Sequence, residues 1–138
     1  MALVQGLTDS FRVESWQAVH NLPVDTLRFA LYTANASLGP STTVYTAANE
    51  VVGAGYAAGG VVLTGVTLSL AANVAFLTFN NPTWTGASFV CRGALIYNAS
   101  KANRTVAVLD FGDDKRAAGT FTVQLPPTGP TSALIRFE

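Results

Sequence analysis

The sequence predicts a mainly β protein, an antiparallel β-sandwich with one short N-terminal helix, and three observations carry that prediction. First, the second half of the chain, Val61 to Phe137, breaks into short segments in which apolar and polar residues alternate. Val66, Leu68 and Leu70 fall on one face against Thr67, Ser69 and Ala71, and Phe121, Val123 and Leu125 alternate with Thr120, Thr122 and Gln124. Successive side chains of a strand point to opposite faces, so a period of two marks a half-buried strand. Second, turn-forming residues separate these segments: Ala72-Asn73, Asn81-Pro82, Asn98 to Asn103, Gly112-Asp113-Asp114 and Pro126 to Pro130. Third, the outward positions carry Thr, Ser and Ala in place of Lys and Glu. Only 12% of residues are charged, against a usual share of about 25%. So neutral an exterior suits a sandwich that packs against something.

The elements follow in order. Leu7, Phe11, Ser15, Ala18 and Leu22 recur at four- and three-residue steps, with Trp16 and Val19 on the same side, and predict a helix over about residues 8–22. Thr8, Asp9 or Ser10 can cap its start, and Asn21 with Pro23 supplies a stop; Phe11 to Val13 also fits a strand. Leu27-Phe29-Leu31, alternating with Arg28, Ala30 and Tyr32, is the first clear strand. Residues Thr33 to Gly60 read as a long loop, with a short strand near Thr42–Tyr45 and a turn of helix at Ala47–Glu50; a loop of this length is functional or covers something. Strands follow at about Val61–Leu70, Val74–Phe79, Ser88–Tyr97, Thr105–Phe111, Gly119–Leu125 and Ala133–Phe137. In Ser88–Tyr97, strict alternation puts Phe89, Cys91, Leu95 and Tyr97 on one face and Val90, Ala94 and Ile96 on the other, interrupted by Arg92. Apolar residues on both faces call for a central strand, or one covered by a loop or partner.

Composition removes several function classes. With 138 residues the chain suits a single domain, 1–138, able to bury a core. Eight basic and eight acidic residues cancel, so neither direct nucleic-acid binding nor attachment to an anionic membrane is expected. The uncharged stretch Val61 to Phe79 is long enough to span a membrane, but its Thr, Ser and Asn residues and its period of two mark two adjacent strands. One cysteine, Cys91, rules out an internal disulfide framework. Met1 to Gly6 lacks the basic and apolar regions of a signal peptide, so the Asn-x-Ser/Thr triplets at Asn35, Asn98 and Asn103 read as chance.

Each candidate for chemistry has a plainer structural reading. His20, the one histidine, comes with no recognisable nucleophile or acid motif, and near a helix C-terminus its imidazole suits the helix dipole. Cys91 lies in an apolar strand and reads as a small buried hydrophobe. Asp110, Asp113 and Asp114 form the best metal candidate. They lack a full calcium-loop pattern and run into Lys115 and Arg116, so a solvated hairpin turn fits better. The glycines of Gly53 to Gly60 lack the end of a phosphate loop and suit tight turns or close backbone contact. No catalytic, cofactor-binding or metal-binding residue is therefore assigned. Tyr56 among the glycines, Trp84 after Asn81-Pro82, and Arg92 are the interface candidates.

Several segments together resemble a known family: Leu27-Arg28-Phe29-Ala30-Leu31-Tyr32-Thr33, Tyr45 to Val51, Gly55-Tyr56, Gly59-Gly60, Gly93-Ala94-Leu95-Ile96-Tyr97-Asn98, and Ala107-Val108-Leu109-Asp110-Phe111-Gly112. Spread from about residue 10 onward, they resemble the small virion proteins of tailed bacteriophages and, within these, the jelly-roll capsid cement (decoration) proteins of short-tailed phages. The resemblance implies a jelly-roll-like sandwich and a non-enzymatic protein without cofactor. Its partner would be the major capsid protein, which it would bind as a homodimer on the outer surface of the capsid. It would be made in the bacterial host cytoplasm. A Thr- and Ser-rich surface fits such a role, because it can be buried without stranding charges. The alternative is a tail-associated or receptor- or carbohydrate-binding virion module, which an aromatic cleft near Tyr56 and Trp84 would mark. An enzyme would need His20 to meet an acid or nucleophile in a cleft.

Overall fold

The fold is that of a computed structural model, which describes residues 6–22, 24–71, 74–124 and 135–137. The chain runs through β1 (Gly6–Leu7), α1 (Asp9–Trp16), β2 (Leu27–Tyr32), β3 (Val61–Val62), β4 (Thr67–Ala71), β5 (Val74–Thr78), β6 (Thr83–Asn98), a 3-10 turn at Ala99–Lys101, β7 (Arg104–Thr122) and β8 (Ile135–Phe137). The protein is mainly β, as predicted, with two antiparallel sheets and a short helix near its start. One sheet has the order β1-β7-β6-β2-β3 and the other β4-β5-β8. The expected turns at Ala72-Asn73 and Pro126 to Pro130, the helix stop at Pro23, and the strand ends at Leu125 and Ala133 lie outside the described residues.

The sheet is organised by the long hairpin of β6 and β7. Sequence reading puts a turn at Gly112-Asp113-Asp114, dividing two strands. Instead β7 runs through it, and the extra residues form a bulge. Cys91 pairs with Lys115 and Gly93 with Asp110, so Phe111 to Asp114 stand opposite Arg92 alone. The Arg92 guanidinium donates to the Gly112 carbonyl at 2.9 Å, Nη1 lies 3.8 Å from Asp114 Oδ1, and Lys115 pairs with Asp113 at 2.8 Å. These polar contacts satisfy a strand segment that reads locally as a turn. Val61–Leu70 errs the other way. Gly65, at φ +67°, interrupts the expected strand and leaves β3 and β4 in different sheets.

The bulge also changes which side chains face the main core. Phe89 and Cys91 lie there together with Ala94 and Ile96, while Leu95 and Tyr97 lie in a second cluster on the opposite face. Strict alternation would group Cys91 with Leu95; the irregularity between Cys91 and Gly93 moves the phase by one residue. The main core joins Leu27, Phe29 and Leu31 of β2 to Trp84, Phe89 and Leu109, and reaches the smaller sheet through Leu77. The second cluster is roofed by the long loop, through Ala36, Leu38 and Tyr45. The apolar outer face of β6 is thus covered from within the chain. Of the elements expected in that loop, the short strand is a single bridge between Val44 and Arg104, and the helical turn is closed by Glu50 N–H on the Ala47 carbonyl at 3.2 Å.

The helix is shorter than the predicted 8–22. Thr8 caps it by accepting from the Phe11 N–H at 3.3 Å. It ends at Trp16, beyond which Ala18 takes a left-handed conformation at φ +58° and the chain turns back. Phe11 is buried, while Trp16, expected on the same side, is 94% exposed.

Candidate functional site

The early end of α1 carries His20 back over the helix, where its ring lies 5.0 Å from that of Phe11. Nε2 donates to Glu14 Oε1 at 2.8 Å, and Nδ1 accepts from Asn98 Nδ2 at 3.0 Å. Arg104 holds the other Glu14 oxygen at 2.7 Å, and Asn98 also donates to Asp25 Oδ2 at 2.7 Å, with Lys101 3.6 Å from that carboxylate. The chain Arg104–Glu14–His20–Asn98–Asp25–Lys101 thus ties α1 and the following loop to the β6–β7 turn. Burial raises the Glu14 carboxyl, but the hydrogen bonds from His20 and Arg104 and the charge of Arg104 outweigh it and hold the group below its ordinary value. Asp25 is likewise held low, with burial opposed by Asn98, the Asn21 N–H and Lys101.

His20 does meet an acid, which the sequence spacing hid, but both ring nitrogens are occupied and its side chain is 2% exposed. The nearby Ser15 hydroxyl donates to the Phe11 carbonyl at 2.8 Å. A general base needs a free lone pair within reach of a substrate proton. This histidine links elements, and the helix-dipole reading gives way to a side-chain network.

Glu50 organises a second network. Buried under the long loop, its carboxylate accepts from the Tyr45 hydroxyl at 2.6 Å, from the Tyr56 hydroxyl and from the Gly59 N–H at 2.8 Å. Tyr56 also accepts from Leu31 N–H at 3.0 Å, and Tyr97 donates to the Gly59 carbonyl at 2.6 Å. Burial first, then the Glu50 carboxylate, push the Tyr45 and Tyr56 phenols well above their ordinary value. The glycine run beside them lies against backbone: a methyl group at Gly60, whose φ is +80°, would overlap the Phe29 carbonyl. That is the close-contact reading of these glycines.

The three interface candidates are therefore placed differently from a shared outer surface. Trp84 is 3% exposed, stacked with Tyr56 at 6.3 Å and tilted against Phe29 at 6.1 Å, and its Nε1 has no partner among the described residues. Tyr56 is half-buried with its hydroxyl committed to Glu50 and Leu31. Both rings pack against the apolar core, and Tyr56 does so with its hydroxyl satisfied. Arg92 stays at the surface, with its guanidinium bound to the β7 bulge. An open depression of about 290 Å³ lies elsewhere, lined by residues that include Phe111, Lys115, Phe121 and Gln124.

Cys91 is buried, and burial chiefly, with Asp114 adding to it, pushes its thiol up to about 12, so it is a packing residue. Among the described residues no group of His, Cys, Asp and Glu is placed to hold a metal, and no helix is long and apolar enough to cross a membrane. Asn98, in one of the three Asn-x-Ser/Thr triplets, is fully buried.

Several large apolar side chains lie outside. Val13 and Trp16 are exposed one turn apart on α1, Val24 follows, and Val52 projects from the long loop. At the edge of the smaller sheet Leu68 is 59% and Leu70 75% exposed. Sequence reading overlooked Trp16 because helical spacing gave it a buried neighbourhood that the early helix end removes. Set against protein-family models, curated proteins and solved structures, the chain matches none.

Proposed function

We propose that this protein is a non-enzymatic structural component of a phage particle. It binds the outer surface of the assembled head as a homodimer and reinforces contacts between major capsid protein subunits. The resemblance of its segments to capsid cement proteins supplies the class. The observation that carries the reading is Trp16, 94% exposed with Val13 one turn before it on a helix anchored by the Thr8 cap and the Arg104–Glu14 pair. Tryptophan is the residue most enriched at binding hot spots, and a rigid support lowers the entropy lost on docking. Of the helix's charges, Glu14 is paired inward to His20 and Arg104, and Asp9 and Arg12 are the exposed ones. Repetition over a shell would multiply modest contacts through avidity.

The receptor- or glycan-binding alternative has less support, since the Tyr56 and Trp84 rings that would line its cleft meet inside the core. An enzyme has less still, because the His20 nitrogens are both engaged. Electron cryomicroscopy of purified particles decides between the virion roles. Density for this chain over capsomer junctions, with α1 towards the shell, is the expected result. Density at the tail alone, or none on the particle, overturns the proposal.

A further inference from the structure

The smaller sheet ends at β4, and the register of that strand fixes what its free edge offers. Ala71 pairs with Val74 with only two residues between them in the chain, so this closing pair is of the kind that exchanges both backbone bonds. Bonded and non-bonded pairs alternate along an antiparallel ladder, so Ser69 and Thr67 also bond to β5. The N–H and C=O groups of Leu68 and Leu70 therefore point away from β5, to the side where no strand follows among the described residues. Their side chains are uncovered as well. Leu68 lies opposite Leu77, on the face that joins the main core, yet Leu68 and Leu70 overhang that core into solvent.

Sheet edges are ordinarily protected by a lysine, a proline or a bulge, and Thr67–Ala71 has neither charge nor proline. We infer that β4 pairs antiparallel with β4 of a second copy, about a two-fold axis through Ser69, joining the smaller sheets of the two copies into one. The sequence Leu68-Ser69-Leu70 reads the same in both directions. A two-fold at Ser69 sets Leu68 of each copy against Leu70 of the other, and these are the residues whose backbone groups find no strand partner among the described residues. The leucines of both copies then form one apolar strip on the core-side face.

Charge selects this occupant. A two-fold brings any charge near the axis close to its own like charge, and the whole stretch Val61 to Phe79 contains none. The pairing gives the dimer of the proposed function its surface and rests on that reading for its biological use alone; its physical basis is the strand.

The test uses the purified full chain without capsids. Light scattering coupled to size exclusion should give twice 14.4 kDa. Leu70→Pro, which removes an N–H that β5 does not use, should return the mass to that of one chain while far-ultraviolet circular dichroism is retained. Ser69→Cys keeps the idea testable should the proline variant misfold. Residues facing each other as a non-bonded pair lie within disulfide reach, so mild oxidation should trap Ser69→Cys as a dimer on a non-reducing gel, but not Thr67→Cys. A single-chain mass at every concentration, or a dimer indifferent to Leu70→Pro and not trapped through Ser69→Cys, overturns the inference. A dimer that fails to bind phage heads overturns the cement reading and leaves this pairing standing, and a monomer that binds them does the reverse.

Discussion

At the scale of single residues, the fold depends on positions where one atom decides the outcome. Gly60 combines φ +80° with a site where a methyl group meets the Phe29 carbonyl, whereas Gly86, at φ +58°, faces open space. Gly60→Ala should cost at least about 1–3 kcal/mol from strain alone, and Gly86→Ala about 1 kcal/mol. Urea midpoints at unchanged m-value would show the difference; equal midpoints would mean that the loop yields at Gly60. Glu14 and Asp25 set an acid limit. Both are held below their ordinary values of 4.5 and 3.8, so the stability they contribute is complete above those values and lost as pH falls through the lower folded-state ones. The urea midpoint should stay level down to those ordinary values and then drop. Glu14→Gln should lower the midpoint near neutrality and flatten the acid drop; an unchanged slope below pH 4.5 would mean that Glu14 is not linked to folding.

At the scale of elements, short pieces are held by partners distant in sequence. The helix is only eight residues, too short to persist alone. It is fixed by the Thr8 cap, by the buried Thr8–Thr105 hydroxyl contact at 3.0 Å, and by the Arg104–Glu14–His20 chain. Thr8→Ala should therefore cost about 1–2 kcal/mol, the upper part of the range for a cap because the bond is buried, while Thr105 Oγ1 keeps its 2.6 Å bond to the Thr42 carbonyl. Amide exchange should accelerate in α1 before it does in the β6–β7 hairpin. Uniform acceleration would show that helix and sheet open together. Much of this level was legible in the sequence. The strands over Leu27–Tyr32, Val74–Thr78 and Ser88–Tyr97 appear where alternation and composition place them. The β7 bulge was not legible, because Gly112-Asp113-Asp114 has the local chemistry of a turn and only Arg92, on the neighbouring strand, makes it part of a ladder.

At the scale of the whole molecule, two polar networks are buried beside an apolar core, and several large apolar side chains project outward. The two buried networks use His20, Glu14, Glu50 and three tyrosine hydroxyls to fasten the long loop and the helix to the larger sheet. Trp16 takes no part in that fastening. On the proposed function, Trp16→Ala should leave the thermal midpoint within about 2 °C, since exposed substitutions change stability by less than about 0.5 kcal/mol. It should weaken retention on phage heads by at least tenfold, the loss of about 1.4 kcal/mol at one contact. Co-sedimentation with purified heads reads that loss. Unchanged retention would move the contact surface away from α1.

The sequence by itself determined the class of fold and the central, doubly covered character of β6. Those properties follow from alternation, glycine placement and charge content, which are local. Tertiary structure alone decided that the Tyr56 and Trp84 rings meet inside, that His20 finds Glu14 and Asn98, and that Trp16, Leu68 and Leu70 are left outside. The physical reason is the same in each case. Whether a side chain is covered depends on where a helix ends, where a bulge shifts the phase and how far the core extends beneath a strand, and each of these is settled by residues far away in the chain.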